Sequence, residues 1–324
     1  MPFSAGAVAF ATAFVTVALL LTRFARIAVD RPNERSLHAR PVPRTGGIGV
    51  LLGAAAGASF GAQALWLPAM AAAVLATISL VDDVRGVSKL LRLGAHLAAA
   101  AVVCGGLLGM DDPLAVGLAA LAVAWLTNLY NFMDGSDGLA AGMTIVGFSA
   151  YAIAAGPGQP ALATLSTCLS AAAAAFLVFN FAPARIFLGD VGSVPLGFLA
   201  AALGLVGWRD GIWPLWFPML VFAPFIGDAT LTLAKRALRG EAVWLAHREH
   251  YYQRLVRMGA GHRGTALLGY ALMLACAAAA LYARQQAPQA QAMILGAGLL
   301  VLAAVAAWID LRWARQSRSG GAAT

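Results

Sequence analysis

The sequence predicts an all-α, polytopic integral membrane protein, and three observations support that fold class. Of the 324 residues, 61% are apolar and only 11% are charged, whereas soluble globular domains carry about 25% charged residues. The mean hydropathy is +0.78. The apolar residues are grouped in long runs separated by short charged segments. A disordered chain, a disulfide scaffold and a soluble enzyme are therefore excluded. The three cysteines lie far apart inside apolar stretches, and we expect them to be small core residues.

Membrane-crossing helices need roughly 20 mostly apolar residues, and division at charges and Pro/Gly clusters gives about eleven candidates. They cover residues 5–28, 47–62, 66–82, 93–110, 113–130, 138–156, 159–181, 193–208, 213–234, 264–284 and 290–311. Glycines weaken the pattern of the second and third candidates. The first is expected to be retained rather than cleaved as a signal peptide, because no basic residue precedes it. The abundance of alanine and glycine indicates closely packed helices.

The distribution of basic residues predicts the orientation of these helices. With the N-terminus outside, all but two of the 22 lysines and arginines fall on one face, the exceptions being Arg209 and Arg284. The positive-inside rule makes that face cytoplasmic. We therefore expect a bacterial inner-membrane protein with a periplasmic N-terminus and a cytoplasmic C-terminus. The net charge of +8 is explained in this way, without a nucleic-acid partner.

The chain is predicted to form a single membrane-embedded domain, residues 1–324. The same orientation places several polar segments at the cytoplasmic face, and the membrane topology alone does not explain them. Their position on one face predicts an active site at the membrane–cytosol boundary. Residues 30–46 and 235–263 are expected to be active-site loops there, and residues 312–324 a basic cytoplasmic tail.

Adjacent carboxylates end the third candidate helix, at Asp82 and Asp83. Two such groups repel each other near an apolar helix end unless a cation lies nearby. They predict a Mg²⁺ site or a general base beside one. The alternative is a polar helix end that faces water.

The segment from Asn128 to Gly138 carries polar side chains at every third residue: Asn128, Asn131, Asp134 and Asp137. Glycines follow both aspartates, which indicates a loop where a ligand approaches the backbone closely. Carboxylates and amides suit a metal-bound diphosphate or the edge of a nucleobase. A turn in which Asp137 caps the sixth helix is the simpler interpretation, but it leaves the other three residues unexplained.

The segment Asn180 to Ser193 opens the eighth candidate helix, with Asp190 between two glycines. Helix N-termini attract phosphate, and a nearby aspartate repels it unless a divalent cation lies between them. Asp190 is therefore predicted to be a metal ligand. An ordinary Asp/Ser helix start is the alternative.

Two polar loops complete the set of candidate segments. His247 and His250 could hold a metal, but zinc would need ligands that this loop lacks. The arginines beside them favour recognition of phosphate and sugar, with a solvated basic loop as the alternative. The first loop, residues 30–46, is rich in proline and glycine, which indicates an ordered loop. Its arginines, including Arg35 and Arg44, could bind substrate or anchor to anionic lipid headgroups.

Two further polar residues lie inside candidate helices. His96 is expected to be a packed or hydrogen-bonded core residue rather than a ligand. Asp228 must have a partner or a role, which the sequence does not identify.

Together these segments resemble the polyprenyl-phosphate N-acetylhexosamine-1-phosphate transferase family, glycosyltransferase family 4. The matching stretches run in family order over about residues 30 to 255. They are Pro32–Ser36 through Gly46-Gly47, Asp82-Asp83, Asn128–Gly138, Ile186–Ser193 and the His247–His250 loop. One such match would be weak, but five in order are specific.

The resemblance implies transfer of a sugar 1-phosphate from a UDP-sugar to undecaprenyl phosphate, with release of UMP. It implies Mg²⁺, with Mn²⁺ as a substitute. Asp190 and Asp83 match metal-site residues, and Asp82, Asp83, Asn131 and Asp134 match catalytic positions. Asp137 and Phe187 match residues that hold the uracil. The full set of expected substrate-binding residues is Asn128, Asp137, Asn180, Phe187, Arg35, Arg44, His247, Arg248, His250 and Arg254.

One departure from the family bears on the donor. The muramyl branch would show three consecutive histidines, whereas Arg248 and Glu249 separate the two histidines here. The loop is more similar to the branch that initiates O-antigen, which favours UDP-GlcNAc or a 6-deoxy relative such as UDP-FucNAc or UDP-QuiNAc. Expected partners are that UDP-N-acetylhexosamine, undecaprenyl phosphate and membrane lipids, and a homodimer is left open.

Two alternative functions remain at this point. One is phospho-MurNAc-pentapeptide transfer in peptidoglycan synthesis. The other, from a different class, is a polytopic transporter, which would place its polar residues near the bilayer midplane and often show two repeated halves. The polar residues here crowd one face, and we find no internal repeat. Both observations favour the transferase.

Overall fold

The computed structural model describes residues 2–24, 28–30, 37–38, 40–245 and 247–320, the last three without their side chains. Two short strands, β1 (Val29–Asp30) and β2 (Val42–Pro43), pair antiparallel. All other regular structure of the residues described is helical. The helices are α1 (Pro2–Arg23), α2 (Gly46–Ala58), α3 (Trp66–Arg85), α4 (Lys89–Leu108), α5 (Pro113–Phe132), α6 (Leu139–Ala155), α7 (Pro160–Asn180), α8 (Asp190–Arg209), α9 (Trp216–Val221), α10 (Ala223–Leu238), α11 (Tyr251–Leu255), α12 (Gly261–Ala283) and α13 (Pro288–Gly320).

The protein is an all-α, multi-pass membrane protein, as the sequence predicts. Within the described residues, nine helical segments are long and apolar enough to cross a membrane. They are α1, the six helices α3 to α8, the continuous segment from α11 to α12, and α13. Two predicted spans, 47–62 and 213–234, have no counterpart among these nine segments. The first corresponds to the 13-residue α2, and the second is divided between α9 and α10.

Helix α2 runs antiparallel to α1 although it is short. A Cβ atom at Gly49 would lie 2.5 Å from Val17, one at Gly53 2.5 Å from the Ala9 carbonyl oxygen, and one at Gly57 2.4 Å from the Ala5 carbonyl oxygen. The glycines that weaken the hydropathy pattern therefore allow the two backbones to touch. This is the small-residue packing typical of membrane helices.

Helices α9 and α10 form one pass with a break at Phe222. Pro224 lies in the first turn of α10 and cannot donate a backbone hydrogen bond to the end of α9. Gly204, in the last turns of α8, lies against Pro218 of α9, while Thr232 and Arg236 of α10 lie at the opposite end of the bundle, near α11. Helix α2 and the α9–α10 pair also belong to the bundle but are not among the nine described segments long and apolar enough to cross a membrane. The eleven crossings expected from the sequence stay a prediction.

Helix α8 is the centre of the bundle and determines where the site lies. In an apolar stretch of 18 residues of this helix, 89% of the residues are buried, as expected for a helix that is apolar on all sides. Its N-terminus lies beside the C-termini of α3 and α5 and the N-terminus of α4, because Arg92 of α4 contacts both Asp82 and Asp190. The predicted motifs are thus brought to one end of the bundle.

Helix α13 is longer than its predicted span of 290–311. It continues through residues 312–320 of the predicted basic tail. Trp313 of this extension, and Asp310 just before it, contact Arg254 of α11. The tail therefore contributes to packing at the end of the bundle that holds the motifs.

Candidate active site

Two aspartates from distant parts of the sequence share one arginine. The Nη1 atom of Arg92 lies 2.6 Å from Oδ2 of Asp82 and 3.1 Å from Oδ2 of Asp190. Asp82 Oδ1 also accepts a hydrogen bond from the backbone N–H of Val87 at 2.6 Å. The Asp82 carboxylate is therefore held in one orientation, with a positive charge between it and Asp190.

Asp83 is more deeply buried than Asp82 and is paired with the first loop. Its side chain is 3% exposed, and Oδ1 lies 3.4 Å from Nε of Arg44. Arg44 also donates to the Asp83 carbonyl oxygen at 2.9 Å. The other carboxylate oxygen, Oδ2, is buried and has no hydrogen-bond partner among the described residues. A buried carboxylate oxygen without a partner is costly unless a cation satisfies it.

The loop between α5 and α6 brings amide and carboxylate groups next to the start of α8. Ser193 donates to Oδ1 of Asn131 at 2.6 Å, and Asn131 also hydrogen-bonds Asp190. Burial raises the pKa of Asp134 well above its ordinary value, and the nearby carboxylates of Asp190 and Asp83 raise it further. A hydrogen bond to the backbone of Gly189 opposes this rise.

The end of this loop is fixed to the segment that precedes α8. Oδ2 of Asp137 accepts the backbone N–H of Ala184 at 2.9 Å. Asn180 accepts the N–H of Gly138 at 2.9 Å and donates to the Ile186 carbonyl oxygen at 2.9 Å. Gly138 has a positive φ of 76°, which a residue with a side chain rarely adopts. Asp137 and Phe187 are thus positioned relative to each other by these hydrogen bonds.

These groups surround a polar cavity of about 330 Å³. Its lining includes seven residues predicted from the sequence: Arg44, Asn131, Asp134, Asp137, Asn180, Phe187 and Asp190. Asp82 and Asp83 lie immediately beside it, joined to Asp190 and Arg44 by the contacts above. A cavity with acidic and amide groups at one end and an aromatic ring in its wall suits a charged ligand that carries a ring.

The sequence did not single out several other lining residues. They include Asp30, His38, Ser136, Gln253 and His262. His38 packs edge-on against Phe187, with ring centroids 4.9 Å apart. His262 and Gln253 both lie within residues 235–263, the polar segment predicted to be an active-site loop, which was the available signal. Gln253 is part of the His247–Arg254 segment but was not selected from it.

The His247–Arg254 segment differs from its prediction. None of His247, Arg248, His250 and Arg254 is among the described residues that line the cavity, whereas Gln253 is. His250 is buried, with its ring parallel to Tyr252 at 5.8 Å between centroids and close to Phe132. Burial, together with the neighbouring His250 and Arg236, lowers the pKa of His247 to about 4. His247 is therefore neutral at pH 7.

Asp228 holds this segment in place, which answers the question left by the sequence. Its two carboxylate oxygens accept the backbone N–H groups of Tyr251 and Tyr252 at 2.8 and 2.9 Å. Nδ1 of His250 lies 3.3 Å from the same carboxylate. Asp228 thus caps the N-terminus of α11 from another helix, and α11 carries Gln253 to the cavity.

Arg254 is engaged on the side of α11 away from the cavity. Its Nη1 atom donates to Oδ1 of Asp310 at 2.9 Å, and its guanidinium lies over the rings of Tyr251 and Trp313. The side chain is 9% exposed. The difference arises because Asp310 of α13, 56 positions away in the sequence, supplies a carboxylate partner on that side.

Two other predicted binding residues have different positions. Asn128 faces the helix bundle, where Oδ1 lies 3.2 Å from Nδ1 of His96 and Nδ2 donates to the Ala124 carbonyl oxygen. This confirms that His96 is a hydrogen-bonded core residue. Arg35 lies outside the described residues.

The donor set near Asp83 is chemically suited to Mg²⁺, which prefers carboxylate and other oxygen ligands. The unpartnered Oδ2 of Asp83 points to such a cation. A Cβ atom at Gly189 would lie 2.2 Å from the Arg44 carbonyl oxygen and 3.3 Å from this Oδ2, so the glycine allows the start of α8 to approach both residues. Among the described residues, no three His, Cys, Asp or Glu side chains are already grouped as a metal site.

Comparison with known proteins agrees with the motif pattern. The family model for glycosyl transferase family 4 matches residues 65–207. This range contains α3 to α8 and therefore Asp82, Asp83, Asn131, Asp134 and Asp190.

Individual relatives match over longer or shorter ranges. The chain is 28% identical over 288 residues to a probable undecaprenyl-phosphate N-acetylglucosaminyl 1-phosphate transferase of Bacillus subtilis, which covers 81% of this chain and 80% of that protein. It is 29% identical to a decaprenyl-phosphate N-acetylglucosaminephosphotransferase of Mycobacterium leprae, over 75% of this chain and 73% of the relative. A phospho-N-acetylmuramoyl-pentapeptide-transferase of Moorella thermoacetica is 43% identical, but over only 39% of each chain.

Proposed function

We propose, from the premise that the chain belongs to glycosyl transferase family 4, that it transfers an N-acetylhexosamine 1-phosphate from a UDP-sugar to undecaprenyl phosphate. UMP is the second product. The reaction would start a lipid-linked surface glycan such as O-antigen.

The observation that carries this proposal is the composition of the cavity. Residues from the first loop, the α5–α6 loop and the segment before α8 meet there, although more than a hundred positions separate Arg44 from Asp190. Separate polar segments that converge in one cavity at the end of a membrane bundle are expected of an enzyme with one soluble and one lipid substrate.

The nucleoside part of the donor is assigned to the wall formed by Asp137, Asn180 and Phe187. A carboxylate can accept hydrogen bonds from the ring N–H of uracil, and an aromatic side chain can stack on the base. Asp137 is held by the Ala184 N–H, so its carboxylate is oriented before a ligand arrives. This pre-organisation reduces the entropy lost on binding.

The acidic end of the cavity is assigned to the reacting phosphates. Asp83 and Asp190 would hold Mg²⁺, and when bound it would offset the repulsion between the two anionic substrates. Arg92 and Arg44 already place positive charge beside these carboxylates. Asp82, held by Arg92 and the Val87 N–H, is oriented to accept a proton from the lipid phosphate. We favour direct attack of that phosphate, because it needs fewer dedicated groups than an aspartyl-phosphate path.

The comparisons support an N-acetylglucosamine donor over a muramyl-pentapeptide donor. The relatives with N-acetylglucosamine in their names match about three quarters or more of this chain, while the muramyl relatives match less than half. The separation of His247 from His250 by Arg248 and Glu249 points the same way. UDP-GlcNAc is therefore the first donor to test, followed by its 6-deoxy relatives.

The proposed setting is a bacterial inner membrane with the cavity open to the cytoplasm, where UDP-sugars are found. The described basic residues near the cavity, including Arg44 and Arg92, lie at the end of the bundle that the positive-inside rule assigns to the cytoplasm. The acceptor would reach Asp82 from the surrounding bilayer.

The proposal is tested with the purified protein, undecaprenyl phosphate, Mg²⁺ and a panel of UDP-sugars, with UMP release and the lipid product measured together. We expect UMP release that requires both the lipid and Mg²⁺. Asp190→Asn should abolish it while the protein stays folded and monodisperse. UMP release from no member of the panel, with a folded wild-type protein, would contradict the proposal.

A further inference from the structure

His262 joins two loops of the cavity wall that are far apart in the sequence. It lies in the first turn of α12, after Gly259 and Gly261, which have positive φ values of 97° and 62°. Its Nδ1 atom lies 3.0 Å from the hydroxyl of Ser136 and 3.3 Å from the backbone nitrogen of Asp137. Its Nε2 atom lies 3.2 Å from the carbonyl oxygen of Leu37 in the first loop.

These contacts determine the tautomer of the ring. A backbone amide always carries its hydrogen, and the N–H of Asp137 donates to Nδ1, so Nδ1 cannot itself be protonated. The Leu37 carbonyl oxygen can only accept, so Nε2 must carry the proton and donate it. The Ser136 hydroxyl can turn to donate to the same Nδ1. In this arrangement the His262 ring accepts through Nδ1 and donates through Nε2.

Each end of this bridge contacts a group assigned to the nucleoside. Asp137, whose backbone N–H donates to the ring, also has its carboxylate nearby. Its Oδ1 atom lies 3.6 Å from Nδ1 of His262. Leu37 precedes His38, whose ring packs against Phe187. His262 itself lines the cavity. A change in the bridge would therefore move Asp137 and the His38–Phe187 contact relative to each other.

We propose that His262 is a positioning residue of the cavity, which holds the Ser136–Asp137 turn against the first loop and so sets affinity for the nucleotide part of the donor. It acts through Asp137 and Leu37 and takes no part in the reaction itself. This inference rests on the proposed function for the identity of the ligand.

Paired substitutions separate the two sides of the ring. The Oδ1 atom of His262→Asn can occupy the place of Nδ1 and keep the contact with Ser136 and Asp137, while the link to Leu37 is lost. His262→Gln reaches toward Leu37 and loses the contact with Asp137. His262→Ala loses both. Arg263→Gln, the exposed neighbour on the same turn, is the matched control.

The first measurement is UMP affinity by titration calorimetry, together with kcat and KM for the donor. We expect His262→Ala and His262→Gln to weaken UMP binding and raise KM by about tenfold, the effect of one hydrogen bond. His262→Asn should stay within about threefold of wild type on the same scale. The value of kcat should change much less than KM in all three variants. A loss of kcat with unchanged KM, or equal effects of Asn and Gln, would overturn the proposal.

The second measurement uses no substrate. Hydrogen exchange of the Asp137 amide should be faster in His262→Ala and His262→Gln than in wild type and His262→Asn, while peptides from α8 keep their protection. If the His262 variants do not fold, Ser136→Ala leaves the Nδ1 lone pair to the Asp137 N–H alone and should slow the same exchange slightly. Unchanged exchange at Asp137 would overturn the bridge. If the bridge is present but UMP does not bind wild type, the proposed function fails instead.

Discussion

Arg92 Nη1 lies 3.1 Å from Oδ2 of Asp190, although 98 positions separate the two residues in the sequence. The same nitrogen is 2.6 Å from Asp82. A single guanidinium therefore contacts two of the four carboxylates gathered at the centre of the site and offsets part of their charge. Arg44 does the same for Asp83. Arginine keeps its charge at all accessible pH values, so these two residues allow acidic groups to lie close together before any ligand arrives.

The contact between Arg92 and Asp190 predicts competition between arginine and metal. The guanidinium occupies a carboxylate oxygen that the proposed Mg²⁺ would use, so Arg92→Gln should tighten divalent cation binding about three- to tenfold, since a charged hydrogen bond is lost. Mn²⁺ binding, followed through the free-ion electron paramagnetic resonance signal, measures this. Asp190→Asn should weaken binding at least tenfold.

Arg85→Gln is the control for this comparison, because Arg85 is an exposed arginine in the terminal turn of α3 that also carries Asp82. Its effect on Mn²⁺ affinity should be small. Weaker metal binding by Arg92→Gln would mean that the arginine supports the metal site rather than competes for it. Wild-type affinity in Asp190→Asn would remove Asp190 from the set of ligands.

The sequence was sufficient for the helical fold because the bilayer imposes a simple length rule on apolar segments. It was less informative for α2 and α9–α10, where helix packing decides the outcome. Gly53 and Gly57 lower the hydropathy of α2 and also allow it to touch α1. The break between α9 and α10 follows from Pro224, whose effect on helix continuity is local and cannot be read from average hydropathy.

For the site, the sequence predicted the residues that form compact motifs and missed those that act from another segment. Asp134, Asp137 and Asp190 are recognisable because glycines and repeated polar residues surround them. His262 also has glycine neighbours but no repeated acidic or amide residues, and its role depends on contacts with Leu37 and Asp137, each more than a hundred positions away. Arg254 was predicted to bind substrate because it lies in a basic loop with two histidines, whereas Asp310, the partner that holds it, is 56 positions away on α13.

Asp134 should make stability depend on pH in the metal-free protein. Its pKa is raised well above the ordinary value by burial and by the neighbouring carboxylates, whereas in the unfolded chain it should be about 3.9. Between these values the folded state binds more protons than the unfolded state. This contribution to the free energy of unfolding is present at low pH and is lost as the pH rises through the folded-state pKa.

Asp134→Asn cannot ionise, so it should escape this loss. In EDTA, the difference in thermal midpoint between Asp134→Asn and wild type should increase in favour of the variant as the pH is raised from 5 to 8. Asp111→Asn, an exposed carboxyl beyond the far end of α4, gives the baseline. A difference that stays constant across this range, or decreases, would show that the folded protein does not raise the pKa of Asp134.

The orientation of the bundle can be tested with topology reporters. A reporter that is active only in the cytoplasm should be active when fused after Arg315, because α13 ends at the same end of the bundle as Arg254 and α11. The same reporter should be silent between Met110 and Pro113, where α4 meets α5 at the opposite end. The reverse pattern would place the acidic cavity on the outer face, away from the supply of UDP-sugars.

The Arg254–Asp310 pair should show an asymmetric loss of stability. Asp310 accepts from Arg254 at 2.9 Å through Oδ1, and from Lys235 at 2.5 Å and Tyr251 at 3.2 Å through Oδ2. Asp310→Asn leaves Lys235 without its carboxylate and leaves Arg254, whose side chain is only 9% exposed, with the more distant carboxylate of Glu249, 3.7 Å away. Arg254→Gln leaves Asp310 paired with Lys235. We therefore expect a loss of about 2–4 kcal/mol for Asp310→Asn and about 1 kcal/mol for Arg254→Gln.

Denaturant or thermal unfolding in detergent measures this difference, with Arg209→Gln as the control for an exposed ion pair at the far end of α8. The same variants decide whether Arg254 selects the donor. Because the guanidinium points to α13 and not to the cavity, Arg254→Gln should change kcat/KM for UDP-GlcNAc and for a 6-deoxy UDP-sugar by the same factor. A shift in the ratio of the two values, in a variant of normal stability, would instead require Arg254 to leave Asp310 and contact the sugar during turnover.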